Sequence, residues 1–195
     1  GSHDQGVNIR TSRTGTVYAC WSIYDSFPSD ETAIGLNRST DGGATWTAVL
    51  SIDEHTGVTD LEFDPSNPDV VYAASYQRRR HVWGLLAGGA SSGIHKSTDN
   101  GRTWRRVSAG LPAGDKGKIG LAVTAADPRL VYATIEANAE ERGFYRSRDR
   151  GESWEKRNSY ISGGTGPHYY QEIEASPVNA DLVYQMDVFL QVTRD

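Results

Sequence analysis

The sequence predicts an all-β fold built from repeated antiparallel units of four strands, on three observations. An eight-residue phrase occurs three times, as STDGGATW at 39–46, STDNGRTW at 97–104 and SRDRGESW at 147–154. A Val-Tyr pair recurs upstream of each copy and once more near residue 183. No window of a dozen residues keeps the i, i+3, i+4, i+7 apolar stripe of an amphipathic helix.

The Val-Tyr pairs set the length of the unit. Their valines, Val17, Val71, Val131 and Val183, follow one another at steps of 54, 60 and 52 residues. That spacing is typical of one β-propeller blade with its loops. We therefore expect a single propeller domain with blades at 1–50, 51–110 and 111–160 and an incomplete blade at 161–195, about three and a half blades of four antiparallel strands.

Each element of a blade can be identified in the second unit. VTDLEF at 58–63 alternates and predicts the innermost strand, and the Asx- and Pro-containing turn DPSNPD follows it. VVYAASY at 70–76 is rich in β-branched and aromatic residues and predicts the second strand. GIHKS and TWRRVS predict the third and fourth strands, with the repeated phrase as the hairpin between them.

The repeated phrase has the composition of a structural turn. Gly42 and Gly43 permit left-handed backbone, Ser39 and Asp41 can bond nearby amides, and Trp46 can pack the hairpin against its own blade. A residue that recurs in every blade is expected to serve the fold of each blade rather than catalysis. The predicted structural set is Ser39, Asp41, Gly43, Trp46, Ser97, Asp99, Gly101, Trp104, Ser147, Asp149, Gly151 and Trp154.

The pattern Ser-x-Asp-x-Gly-x-x-Trp resembles the Asp-box, or bacterial neuraminidase repeat, of sialidases, xyloglucanases and sortilin-type receptors. Residues from 56 onward resemble the sortilin-like, glycosyl-hydrolase-like group, whereas DQGVNI and WSIYDSFPSDETAIG are closer to sialidase-like repeats. A natural mosaic and an engineered join both explain this difference. The resemblance implies peripheral Asp-boxes, away from any active site, and an extracellular or periplasmic protein, although this chain carries no signal peptide.

The fourth copy of the phrase is cut at TRD, residues 193–195. We therefore expect either an incomplete ring, as in a fragment of a longer protein, or a homo-oligomer in which a second copy completes the propeller.

The composition limits the classes of partner and cofactor that we expect for this protein. The chain is 37% hydrophobic and 23% charged with a net charge of -5, which is typical of a soluble globular protein and disfavours nucleic acid. No apolar stretch approaches the ~18 residues of a membrane span. Cys20 is the single cysteine, which excludes an internal disulfide and a cysteine-based zinc site. The five histidines lack metal-ligand spacing, so we expect no metal and no cofactor.

Candidate catalytic residues lie on the predicted innermost strands and the loops that lead into them. Asp4, Asp60 and Glu172 come from three blades, and a glycosidase needs two carboxylates roughly 5 to 10 Å apart. Tyr170 lies two residues before Glu172, on the same face of a strand, and sialidases use such a Tyr–Glu pair. The sialidase arginine motif is missing, with Arg10 the one arginine on a predicted inner strand. The alternative is that the carboxylates are solvated or cap turns.

Ligand-binding candidates accompany them. His168 and Tyr169 precede Tyr170, and an insertion at 76–93 carries Arg78, Arg80 and Trp83. Cationic donors beside an aromatic ring suit a sugar or an anionic group. The alternative is that Trp83 folds back onto its blade.

Three functions remain open from the sequence. The first is a carbohydrate-active or carbohydrate-binding propeller, glycosidase-like, with its glycan at the channel mouth. The second is a non-catalytic sortilin-like scaffold for a peptide or protein, and the third is an inactive engineered or truncated fragment.

Overall fold

A computed structural model describes the backbone of residues 3–26, 30–81, 83–161 and 171–194. It describes the side chains of the same residues except those at 3–8, 21–34, 80 and 194. Within these ranges the chain forms sixteen β-strands and no helix, so no described helix is long and apolar enough to cross a membrane. The strands form antiparallel sheets of nine, four and three strands. The nine-stranded sheet consists of two blades joined by one bridge, so the chain contains four consecutive blades, which we call blades 1 to 4. The fold is all-β with propeller-type blades, as the sequence predicts.

Each blade is an up-and-down sheet. Blade 1 contains β1 (His3–Thr11), β2 (Val17–Ser26), β3 (Asp30–Ser39) and β4 (Thr47–Leu50). Blade 2 contains β5 (Thr56–Phe63), β6 (Val71–His81), β8 (Gly93–Ser97) and β9 (Arg105–Val107), with β7 (Gly84–Ala87) added to the end of β6. Blade 3 contains β10 (Ile119–Val123), β11 (Val131–Ile135), β12 (Gly143–Ser147) and β13 (Glu155–Asn158). The described part of blade 4 contains β14 (Glu172–Ala175), β15 (Leu182–Met186) and β16 (Gln191–Arg194).

The insertion in blade 2 is a hairpin rather than an irregular loop. β6 runs five residues past the predicted end at Tyr76, to His81, and pairs with β7 from Arg78 opposite Ala87 to His81 opposite Gly84. The pairing leaves two residues between the strands, the commonest connection for an antiparallel hairpin. A single bridge between Asp30 and His81 links it to blade 1.

The hydrophobic core lies between the blades. In each second strand the valine and the tyrosine point to opposite faces because side chains alternate along a strand. Val71 packs with Tyr18 between blades 1 and 2, and Tyr72 packs with Val131 between blades 2 and 3. The third core, between blades 3 and 4, contains Tyr132, Phe144, Ile173 and Val183. The recurring pair is thus the unit of contact between one blade and the next.

The hydroxyls of Tyr18 and Tyr72 extend these contacts into the repeated phrase of the following blade, whereas the hydroxyl of Tyr132 donates to the carbonyl of Ala180 in another turn of blade 4. Tyr18 donates to the carbonyl of Asn100 at 2.7 Å, and Tyr72 donates to the carbonyl of Arg150 at 3.0 Å. Asn100 and Arg150 both have positive φ, 57° and 61°. A Cβ at the next residue, Gly101, would lie 2.6 Å from the Tyr18 hydroxyl. The turn therefore brings its backbone close to the preceding blade, which explains the glycine.

The Ser and Asp side chains of the phrase are used inside the turn. Ser97 donates to Asp99 at 2.8 Å, and the amides of Gly101 and Thr103 donate to Ser97 and Asp99 at 2.9 and 2.8 Å. Hydrogen bonds from Thr103 lower the pKa of Asp99 to about 2. The same pattern occurs at Ser39 with Asp41 and at Ser147 with Asp149.

The tryptophans of the three phrases differ in burial. Trp154 is 6% exposed, and Trp104 is partly buried against the core between blades 1 and 2. Trp46, in blade 1, is 40% exposed, so it packs less completely than the sequence predicts.

Candidate functional site

The four innermost strands, β1, β5, β10 and β14, place side chains in register with the tyrosines of the second strands. The residues directly opposite those tyrosines are Arg10, Glu62, Ala122 and Glu174. Two residues earlier along the same strands lie Asn8, Asp60, Gly120 and Glu172. Blades 2 and 4 thus carry acidic residues at equivalent register positions of their innermost strands. Six charged residues lie on or next to the innermost strands, and we call them the inner-strand cluster: Arg10, Asp60, Glu62, Lys118, Glu172 and Glu174.

A cleft of about 430 Å³ lies beside three residues of this cluster. Its lining includes Arg10 from blade 1, Glu62 from blade 2 and Glu174 from blade 4. Side chains from three different blades therefore face a shared space, as expected for a channel surrounded by inner strands.

Asp60 links blade 2 to blade 3. It follows a register shift in the pairing of β5 with β6, between Val58 and Asp60. Its Oδ1 accepts the amide of Leu61 at 2.8 Å, and its Oδ2 accepts the amide of Leu121 at 2.7 Å. Burial raises the pKa of Asp60 to about 6, although the amides of Leu121 and Leu61 oppose the shift. With both oxygens bonded to backbone, Asp60 is suited to positioning the two inner strands.

Glu62 lines this cleft, and its carboxyl group has a strongly raised pKa. Burial raises the pKa of Glu62 to about 8, the negative charges of Asp60 and Glu174 add to the rise, and Arg10 opposes it. Glu62 is therefore mostly protonated at neutral pH. A protonated carboxyl at the edge of a cleft can donate a proton.

Glu172 has the opposite electrostatic environment. Burial acts to raise its pKa, but the hydrogen bond and charge of Lys118 outweigh burial and the pKa is lowered. Lys118 donates from Nζ to Glu172 at 2.8 Å, and the backbone amide of Lys118 donates to Glu136 at 3.0 Å. At neutral pH Glu172 is thus ionised, whereas Glu62 is mostly protonated. Carboxyls whose pKa values are pushed apart are the pattern of an acid and base pair.

The β6–β7 hairpin forms a second surface. His81 and Trp83 stack with ring centroids 4.6 Å apart and planes inclined by 5°, and Trp83 is 84% exposed. Arg79 donates to Nδ1 of His55 at 2.6 Å, and these four residues line an open cleft of about 580 Å³. Trp83 therefore does not fold back onto its blade, and one side of an indole is presented to solvent.

The other sequence-predicted site residues are placed as follows. Arg78 lies in β6, where its amide donates to the carbonyl of His55 at 2.8 Å. The backbones of Asp4 and Arg80 belong to β1 and β6, but their side chains lie outside the described residues. His168, Tyr169 and Tyr170 also lie outside the described residues.

Sequence reasoning missed Glu62 and Glu174. A signal was present, since each glutamate stands ten residues before the tyrosine of its own blade, Tyr72 or Tyr184. Within the described ranges, no group of three or more His, Cys, Asp or Glu side chains is arranged to hold a metal ion.

Comparisons with known proteins give a family and a fold. Residues 35–177 match the family model Sortilin-Vps10, described as sortilin, neurotensin receptor 3. A xyloglucanase of a Paenibacillus species is 28% identical over 192 residues, which cover 94% of this chain and 17% of that protein. Xyloglucanase Xgh74A of Acetivibrio thermocellus is 31% identical over 142 residues, which cover 67% of this chain and 16% of that protein.

Solved structures agree on the propeller fold. A GH74 xyloglucanase from Xanthomonas campestris superposes with a TM-score of 0.65 at 16% identity, and an ancestral GH74 enzyme with 0.54 at 20% identity. In both cases the match covers 92% of this chain and 25% of the other chain. This chain thus spans about a quarter of those structures and a smaller share of the curated relatives.

Proposed function

This chain belongs to the Sortilin-Vps10 family, and from that premise we propose that it is a glycosidase-like propeller that acts on a polysaccharide of the xyloglucan type. The observation that carries the proposal is the cleft of about 430 Å³ that Arg10, Glu62 and Glu174 line from three blades. Burial and neighbouring carboxylates raise the pKa of Glu62 in this cleft, while Lys118 lowers the pKa of Glu172 on the inner strand of blade 4. The two xyloglucanase relatives support the substrate class.

In the proposed reaction Glu62 is the acid and Glu172 is the base. Glu62 donates its proton to the glycosidic oxygen while the bond from that oxygen to the anomeric carbon breaks and its electron pair moves to oxygen. Glu172 accepts a proton from a water molecule whose oxygen forms the new bond to the anomeric carbon. Glu62 is left ionised and Glu172 protonated, and exchange with solvent restores both.

The remaining candidates are assigned to binding. Asp60 keeps the inner strands of blades 2 and 3 in register through its two amide contacts. Trp83 offers the face of its indole to a sugar ring, and Arg78 and Arg80 belong to the same hairpin. Asp4, His168, Tyr169 and Tyr170 remain proposed contributors to the channel mouth. A polysaccharide substrate places the protein outside the cytoplasm, in the extracellular space or periplasm.

The test compares hydrolysis and binding of xyloglucan oligosaccharides. Glu62→Gln and Glu172→Gln should each lower the hydrolysis rate by about 10² to 10⁴, the usual contribution of a positioned acid or base, with little change in affinity. Glu140→Gln, at an exposed glutamate of blade 3, is the matched control and should leave both unchanged. Equal rates for all three variants would contradict the assignment.

A second candidate function is peptide binding without chemistry, which the sortilin receptor description of the family favours. Binding of peptides by a chain that neither binds nor hydrolyses oligosaccharides would support it. Retained oligosaccharide binding without hydrolysis would instead indicate a glycan-binding module.

A further inference from the structure

Two exposed faces of this chain are the two halves of a contact that it already makes internally. The following face of blade 4 carries Tyr184, Met186 and Val192, which are all exposed. The preceding face of blade 1 carries Ile9 and Trp46, which are also exposed.

The following face of blade 4 exposes residues whose equivalents in the other blades are buried. Tyr184 occupies the position of Tyr18, Tyr72 and Tyr132 in the second strand, and each of those three is at most 1% exposed. Tyr184 is 36% exposed. The opposite side of the same strand, with Val183, is already buried against blade 3. Blade 4 thus presents an apolar surface with a tyrosine in the position that contacts a following blade.

The preceding face of blade 1 has the complementary half. Trp46 occupies the position of Trp104 and Trp154, which pack into the cores shared with a preceding blade. Gly42 has φ of 73°, the left-handed conformation of Asn100 and Arg150, whose carbonyls accept a tyrosine hydroxyl. The carbonyl of Gly42 is therefore the equivalent acceptor in blade 1.

We propose that the following face of blade 4 binds the preceding face of blade 1 on a second copy of this chain. In this contact Tyr184 donates to the carbonyl of Gly42 of the second copy, while Met186 and Val192 cover Trp46 and Ile9. A second copy is the specific occupant because both halves belong to one chain, and because the chain forms the same type of contact between its own blades.

Two copies close the arrangement. The contact is heterologous, so a pair related by a twofold axis makes it twice and leaves neither face exposed. Two copies bring eight blades, within the range of about 4 to 8 blades in closed propellers. The channel would then be lined by the inner-strand clusters of both copies.

The test is the mass of the 195-residue chain in solution, by light scattering and sedimentation equilibrium across a ~100-fold concentration range. The expected species is twice the mass of the chain. Met186→Asp and Trp46→Asp should each weaken association about 100-fold, since each places a charge in an apolar contact. Tyr184→Phe removes one hydroxyl and should weaken it about fivefold. Ala139→Asp, at an exposed apolar residue in the loop between β11 and β12 of blade 3 and outside both faces, should change nothing.

Mixing distinguishes a head-to-tail contact from a symmetric patch. The Met186→Asp chain keeps an intact preceding face, and the Trp46→Asp chain keeps an intact following face. An equimolar mixture should therefore associate more tightly than either variant alone. A monomer at all concentrations, species that grow beyond two copies, or association that both charged variants leave intact would each overturn the proposal. Circular dichroism of the variants checks that a loss of association is not a loss of fold.

Discussion

Replacing Glu62 by glutamine should stabilise the protein at alkaline pH and leave it unchanged at pH 5. Burial and the neighbouring carboxylates raise the pKa of Glu62 from its ordinary value of 4.5 to about 8. The folded state therefore holds this proton more tightly than the unfolded state. The stability that follows is present below pH 4.5 and is lost as the pH rises through about 8.

The magnitude follows from the width of that interval. At about 1.4 kcal/mol per pH unit, the interval from 4.5 to about 8 corresponds to at most ~5 kcal/mol. Glu62 is partly exposed, and solvent screening reduces the expected loss to ~2 kcal/mol. Glutamine has the shape of the protonated side chain and cannot ionise, so Glu62→Gln should avoid this loss.

The assay is urea unfolding followed by circular dichroism at pH 5, 7 and 9. Glu62→Gln should match the parent at pH 5 and exceed it by ~2 kcal/mol at pH 9. Asp60 keeps its raised pKa of about 6 in both proteins, so both should still lose some stability between pH 4 and 6. Glu140→Gln is the control and should follow the parent. Identical pH dependence of Glu62→Gln and the parent would refute the reasoning.

Three further predictions concern single contacts. Tyr72→Phe removes the hydrogen bond to the carbonyl of Arg150 and should lower the free energy of unfolding by about 1 to 2 kcal/mol in urea. The control Tyr160→Phe, at a tyrosine that is 43% exposed, should lower it by less than ~0.5 kcal/mol. Equal losses in the two variants would contradict the role of the Tyr72 hydroxyl. Asp99→Ala leaves the amides of its turn without their carboxylate and should lower stability by about 1 to 3 kcal/mol, with faster amide exchange in 97–104 as the local readout. Trp83→Ala should weaken oligosaccharide binding about fivefold in calorimetry with an unchanged melting temperature, because the indole is 84% exposed.

The blade architecture was predictable because it rests on local chemistry that repeats. The Val-Tyr pairs, the Asx turns and the left-handed glycines each fix one step of a blade, and their period set the number of sheets. The hairpin at Arg78 to Ala87 was not predictable in the same way, because three consecutive arginines do not show the apolar alternation by which a strand is recognised.

The candidate site was only partly predictable for a similar reason. Asp60 and Glu172 stood out as acids in inner strands, but Glu62 was read as part of the alternation of its strand. Its protonation depends on Asp60 and on Glu174 from another blade, which the chain brings together only through the register of the sheets. Which of two nearby acids keeps its proton is decided by burial and by neighbours distant in sequence.

The tyrosine contacts between blades also determine how the molecule should come apart. Since each hydroxyl is received by the turn of the next blade, the fold resembles a row of linked elements in which each sheet depends on the sheets beside it. In a dissociated single copy, a sheet with two neighbours is held from both sides, and a sheet at the end of the row from only one. Opening should therefore begin at the outermost sheets and proceed inward, with blades 2 and 3 as the last to lose protection from amide exchange.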